Sequence, residues 1–224
     1  MIAEHLHEVL ATLPEGVRLV AVSKFHPVEA LQEAYDAGQR VFGESHVQEL
    51  VAKEAVLPKD IEWHFIGHLQ TNKVKYLAPF VSLIHAVDSL KLLKEIDRQA
   101  ERCGREAIRC LLQLHVAREE TKFGLSPDEL RRLLQEGAWR ELPHVKLAGL
   151  MCMATNTDDV QQIAGEFALA KSLFDECKAA YFPGNDDFCE LSMGMSGDYS
   201  LAVQQGSTLV RVGSMIFGER DYSA

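Results

Sequence analysis

Short apolar runs alternate with longer amphipathic stretches along this chain, the pattern of strands and helices that build a parallel sheet. Eight runs can be drawn, at residues 17–23, 40–43, 61–66, 81–87, 108–116, 145–153, 188–193 and 208–212. They are rich in Val, Ile and Leu without clean polar alternation, as strands covered on both faces are. Helix signals lie between them. Pro27 opens a helix whose Val28, Leu31 and Ala34 share a face, and Gly38 suits its C-terminal end. Ser126-Pro127-Asp128-Glu129 has the form of a capping box with proline at the first helical position. Thr157, Asp158 and Asp159 start a long helix, with a buried stripe expected at Val160, Ile163, Ala164, Phe167, Ala170 and Phe174. Ser196 is expected to cap a helix ending at Gly206, and an extra helix over residues 3–12 precedes the first strand.

Eight strand–helix units in 224 residues match a single (β/α)8 barrel of TIM type with that extra N-terminal helix. An open doubly wound sheet is the structural rival, but it more often stops at about five to seven strands. No Gly-, Pro- or Ser-rich linker, repeat or low-complexity tract divides residues 1–224, which read as one domain. In such a barrel the chemistry belongs at the C-terminal ends of the strands.

A net charge of -10, with acidic residues spread along the chain, disfavours nucleic acid as a partner but leaves room for a locally positive pocket. The five cysteines, at 103, 110, 152, 177 and 189, form no C-x-x-C pair and read as reduced thiols. The first residues carry charge early and lack a signal-peptide core, and no run has the length of a membrane helix. A cytoplasmic protein with no membrane association is expected.

The first strand ends Leu19-Val20-Ala21-Val22-Ser23-Lys24. A lysine directly after such a run must reach water or find a partner, and partial desolvation raises the fraction of neutral amine able to attack an aldehyde. Alone, a solvated strand-end lysine is the commoner explanation. The last two strands change the balance. Ser192-Met193-Gly194-Met195-Ser196-Gly197-Asp198 puts a hydroxyl and glycine-flanked amides where a helix begins, and Arg211-Val212-Gly213-Ser214 closes the eighth strand. Loops after strands seven and eight are the usual phosphate grip of such barrels. Strand one neighbours strand eight in a closed barrel, so Lys24 would face that grip.

These segments, with Val41-Phe42-Gly43-Glu44, residues 63–73 and residues 206–213, resemble the pyridoxal phosphate homeostasis proteins, relatives of the alanine racemase barrel. The likeness runs over nearly the whole chain, in the same order. It implies a soluble pyridoxal 5′-phosphate protein, monomeric, that acts in cofactor homeostasis and amino- and keto-acid balance. It implies Lys24 as the lysine holding the cofactor as an internal aldimine, and Ser196 with the amides of Gly213 and Ser214 as the phosphate site. Arg211 resembles the arginine facing the pyridine nitrogen, and Lys122, in Thr121-Lys122-Phe123-Gly124, a basic residue near the phenolic oxygen. Ser45 stands at the cofactor where many members have asparagine; His115 also replaces an asparagine, and His26 a second lysine. His64, at the end of strand three, is a candidate for contact with the ring.

A permanent guanidinium beside the ring nitrogen disfavours its protonation and weakens the electron sink, so carbanion chemistry is less supported. A racemase needs a second acid/base group. In alanine racemases this is a tyrosine from another domain across a dimer, and none of Tyr35, Tyr76, Tyr181, Tyr199 and Tyr222 lies in a matching segment. A carrier of the cofactor without robust turnover is favoured, with partners among enzymes that make or use it. An amino-acid racemase and a Schiff-base aldolase are the alternatives; the second would leave the protein colourless.

His64 and His68 would share a helix face as metal ligands, but Phe65-Ile66-Gly67 reads as a strand end and turn, so no metal is expected. Gln70-Thr71-Asn72-Lys73 begins the next helix, and Asn72 or Lys73 is equally compatible with a phosphate contact or with solvent. Met151, Met153, Met193 and Met195 read as core filler, with packing on a cofactor plane as the alternative. No nucleotide-binding glycine loop or nucleophile elbow is present.

Overall fold

Each apolar run becomes one strand of a closed, fully parallel barrel in the order β1 to β8. The computed structural model describes residues 1–118 and 123–219. The strands are β1 (Arg18–Val22), β2 (Val41–Glu44), β3 (Glu62–Phe65), β4 (Leu83–Val87), β5 (Ile108–Leu114), β6 (Val145–Cys152), β7 (Glu190–Met195) and β8 (Leu209–Val212). Helices α1 (Ile2–Ala11), α2 (Val28–Asp36), α3 (Val47–Val56), α4 (Val74–Leu77), α5 (Leu90–Arg102), α6 (Pro127–Glu136), α7 (Val160–Tyr181), α8 (Tyr199–Gln204) and α9 (Ser214–Phe217) fill the remaining layer. The first and last strands pair through Val20 opposite Arg211, which closes the cylinder. It is the expected (β/α)8 architecture with an additional N-terminal helix.

Local chemistry explains the boundaries. Ser126 and Glu129 make both halves of the capping box at α6. Asp159 caps α7 by accepting from the amides of Gln161 and Gln162. Val160, expected on the buried stripe of α7, is 55% exposed, and the stripe instead continues through Leu173 and Cys177. Ser196 does not cap α8. Asp198 holds the N-cap position, and its carboxylate accepts from Met195 N, so the serine hydroxyl is left for another partner.

Most of the apolar core lies between the sheet and its helices. A second, separate cluster of Val20, Leu83, Ala86, Leu111, Ala148, Met151 and Leu209 comes from five strands that can meet only inside the barrel. Below it, at the N-terminal end, Arg18 and Arg109 both donate to Glu190 at 2.7 and 3.2 Å. The interior is therefore plugged by charge at one end and apolar in the middle, which leaves the other end for a site. No helix of the described residues is long and apolar enough to cross a membrane.

Candidate functional site

A cavity of about 450 Å³ opens at the C-terminal ends of the strands. Lys24, Ser45, Ser196, Arg211, Gly213 and Ser214 all line it, brought together from β1, β2, β7 and β8. His64 does not. Side chains alternate along a strand, and the next residue on its face, Ile66, takes the wall position while His64 lies buried. Lys122 lies outside the described residues.

Lys24 is half-buried in a tight turn. His26 N donates to Ser23 O at 3.1 Å, which makes Lys24 and Phe25 the two central residues. Phe25 has φ 65°, the one positive value among the described non-glycine residues. That is the demand of a type II turn on its third residue, normally met by glycine, and a bulky side chain there is strained by about 1–3 kcal/mol. A set of buried and partly buried charges surrounds the turn. Ser23 Oγ donates to Glu44 Oε1 at 2.6 Å, Phe25 N to Glu49 Oε1 at 2.6 Å, and Lys53 Nζ to Ser23 O, Glu44 Oε1 and Glu49 Oε1, each at 2.7 Å. Burial pushes the Glu44 carboxyl up to about 7, against the pull of Lys53 and Ser23. Its Oε2 has no hydrogen-bond partner among the described residues.

On the opposite wall the ends of β7 and β8 meet. Gly194, at φ 94°, bends β7 over α8, where a Cβ would lie 2.8 Å from Tyr199 Cα. Ser196 Oγ then accepts from Gly213 N at 3.2 Å, so the serine and the turn after β8 form one unit. A Cβ at Gly213 would sit 2.9 Å from Val22 O, so only glycine lets the turn pack against the first strand. Among the described residues, no protein acceptor takes the N–H of Ser196, Gly197 or Ser214. Open amides and a hydroxyl at one wall suit an anion.

Arg211 forms the floor. It is 3% exposed, and donates from Nη1 to Ser192 Oγ at 2.6 Å and from Nη2 to Cys152 O at 3.0 Å. No carboxylate of the described residues lies within ion-pair distance. Burial draws its pKa below the usual value, yet a guanidinium stays charged. A buried cation hydrogen-bonded only to neutral oxygens invites an anionic or lone-pair ligand. Behind it runs a neutral ladder. Ser192 Oγ accepts from Arg211 and shares a hydrogen bond with His85 Nδ1 at 3.0 Å, and His85 Nε2 shares another with His64 Nδ1 at 3.0 Å. Burial drops His64 to about 3 and His85 well below the ordinary value, so both rings are neutral.

Several wall residues were not legible as such in the sequence. His68 stacks on Phe123, with ring centroids 3.9 Å apart at 14°, and Gln113 Nε2 donates to Phe123 O at 3.0 Å. Together with Met153 and Met195 they give the cavity flat and apolar surfaces. Their one sequence signal is position, since each follows or ends a strand. Among the described residues no three His, Cys, Asp or Glu side chains converge as a metal site would require, and no tyrosine lines the cavity.

The family model described as alanine racemase, N-terminal domain, matches residues 1–221. A pyridoxal phosphate homeostasis protein of Aquifex aeolicus is 41% identical over 206 residues, covering 92% of this chain and 88% of that protein. PipY of Synechococcus elongatus, solved without pyridoxal phosphate (PLP), has a TM-score of 0.91 at 40% identity, covering 97% of this chain and 100% of the other. The same protein with PLP bound has a TM-score of 0.87 at 39% identity and the same coverage.

Proposed function

Because this chain belongs to the family of the alanine racemase N-terminal domain, in the branch of the pyridoxal phosphate homeostasis proteins, we propose that it holds PLP in the barrel-mouth cavity, covalently through Lys24, as an intracellular reserve. One observation carries this reading. A single cavity is lined at once by an amine, a buried guanidinium without a carboxylate and amides without acceptors. When bound, the group supplies an aldehyde that an amine can attack and an aromatic ring that can withdraw electrons.

The residues would divide the work. Lys24 Nζ, at the cavity wall, would be the point of covalent attachment. Ser196 Oγ and the open amide of Ser214 would bind the phosphoryl oxygens, with Gly213 N, which donates to Ser196 Oγ in this structure, shared between the hydroxyl and the phosphate. Arg211, held from below by Ser192 and Cys152, would offer its remaining donors to the ring nitrogen, and its fixed charge would disfavour a proton there. That choice leaves the ring a weak electron sink, which suits storage more than turnover. Met153, Met195 and the His68–Phe123 stack exclude water from the ring's faces.

The three buried cysteines are free, which accords with a reducing cytoplasm. A monomer that gives PLP to, or takes it from, enzymes of its use and synthesis fits the same reading. The test is the absorption spectrum of the purified protein, then borohydride reduction and peptide mapping. A chromophore fixed on Lys24, unchanged in amount after incubation with alanine, is the expected result. A label on another lysine, or rapid racemisation of the alanine, overturns it.

A further inference from the structure

Lys53 sits behind the Lys24 turn and does not line the cavity. It is 5% exposed, and its ammonium has three donors and three acceptors: Ser23 O, Glu44 Oε1 and Glu49 Oε1. Those acceptors reach both sides of Lys24. Ser23, the residue before it, is held at its carbonyl by Lys53 and at its hydroxyl by Glu44. Phe25, the residue after it, is held at its amide by Glu49. The amide of the third residue in a type II turn makes no bond within the turn, so Glu49 supplies the one that this strained position lacks. The far side of the cluster borders a separate cavity of about 550 Å³ that includes Phe25, His26, Glu49 and Lys53. Burying the Glu44 carboxylate and the Lys53 ammonium is costly, and a helix–sheet contact of this kind could have been apolar.

We propose that Lys53, with Glu44 and Glu49, is the positioning unit for Lys24, forcing the strained turn that aims its amine into the cavity. Lys53 is thus a positioning residue that acts through the backbone of Ser23 and Phe25. The inference rests on Lys24 being the point of attachment. The turn costs more at Phe25 than it would at glycine, and the charged cluster supplies what sequence-local preference withholds.

Two readouts test it. The first is the rate at which the cofactor-free protein forms the reducible adduct at residue 24 with added PLP. The second is labelling of residue 24 by formaldehyde and cyanoborohydride, relative to the exposed Lys59 in the same molecule. Lys53→Met should slow attachment about tenfold or more, because small misplacements of a reacting group cost that much. Glu49→Leu, at a partly exposed position, should act in the same direction and serves if Lys53→Met fails to fold. Adding Phe25→Gly to either should recover part of the loss, since glycine adopts the turn unaided. Wild-type rates and label ratios in folded Lys53→Met and Glu49→Leu overturn the proposal. So does a loss that Phe25→Gly leaves untouched, which would make the cluster a stability element only. A wild-type protein unlabelled at residue 24 would instead defeat the attachment site itself.

Discussion

Two buried polar networks flank one cavity, and they are built on opposite principles. Behind Lys24 the groups are ionic, with Lys53 between Glu44 and Glu49. Behind Arg211 they are neutral, with Ser192, His85 and His64 in a ladder that holds no carboxylate. A backbone turn in a strained conformation needs strong, charge-assisted bonds to hold it. An arginine that must keep its own charge for a ligand needs neighbours that do not neutralise it. The ionic side therefore fixes a shape, and the neutral side preserves a charge.

Removing the central cation should be the largest blow. Lys53→Met leaves the fully buried Glu44, and the partly exposed Glu49, without their partner, with an expected loss of about 3–5 kcal/mol. Urea unfolding of the cofactor-free protein measures it. A loss below about 1 kcal/mol, the level of an exposed pair, would erase the distinction between the two sides.

The pH dependence separates them next. Glu44 has a folded value raised from 4.5 to about 7, so the folded state holds a proton that the unfolded state releases. Its contribution is fully present below about 4.5 and is lost as pH rises through about 7, amounting to about 3 kcal/mol at most. His64 has a folded value lowered from 6.5 to about 3, so its contribution is present above 6.5 and is lost as pH falls. The two slopes oppose each other between 4.5 and 6.5. Glu44→Gln should unmask the histidine slope, and unfolding midpoints across that window should then rise with pH. A curve that stays as flat as the wild type's would show that Glu44 titrates normally.

Ser192→Ala should come third. It strips Arg211 Nη1 and His85 Nδ1 of a partner in a dry interior, at a cost of about 1–3 kcal/mol. The lost aim of the guanidinium should also move the absorption band of bound PLP. A stability loss with an unmoved band would cut the ladder's link to the cofactor.

The sequence disclosed the skeleton of this arrangement and hid its supports. Eight runs of Val, Ile and Leu, with Ser126 and Asp159 as caps, are local signals, and they mark the barrel to within a few residues. Lys24, Arg211 and Gly213 stand out because each ends a strand. Glu49 and Lys53 carry no such mark, since nothing in their neighbours says that charges on α3 will point inward to the Lys24 turn, and Glu44, although it ends β2, gives no sign of the partners it meets there. His85 and Ser192 lie 107 residues apart and meet only when the barrel closes. Ser196 misled in a different way. A serine ahead of a helix reads as a cap, yet Asp198 stands at the N-cap position of α8 and the Ser196 hydroxyl accepts from Gly213 N instead.

That hydroxyl gives the smallest change in stability and a selective change in binding. Ser196 belongs to neither network, and it is partly exposed at the cavity wall. Ser196→Ala removes the acceptor of Gly213 N, which water in the cavity can replace, so stability should fall by about 0.5 kcal/mol or less. PLP should nonetheless dissociate several-fold faster after mild acid release of the covalent bond, because the phosphoryl group loses a donor of ordinary hydrogen-bond strength, worth about 1 kcal/mol. If retention is unchanged while Ser192→Ala weakens it, the cofactor is held by its ring and not by its phosphate, and the neutral side of the cavity does the binding alone.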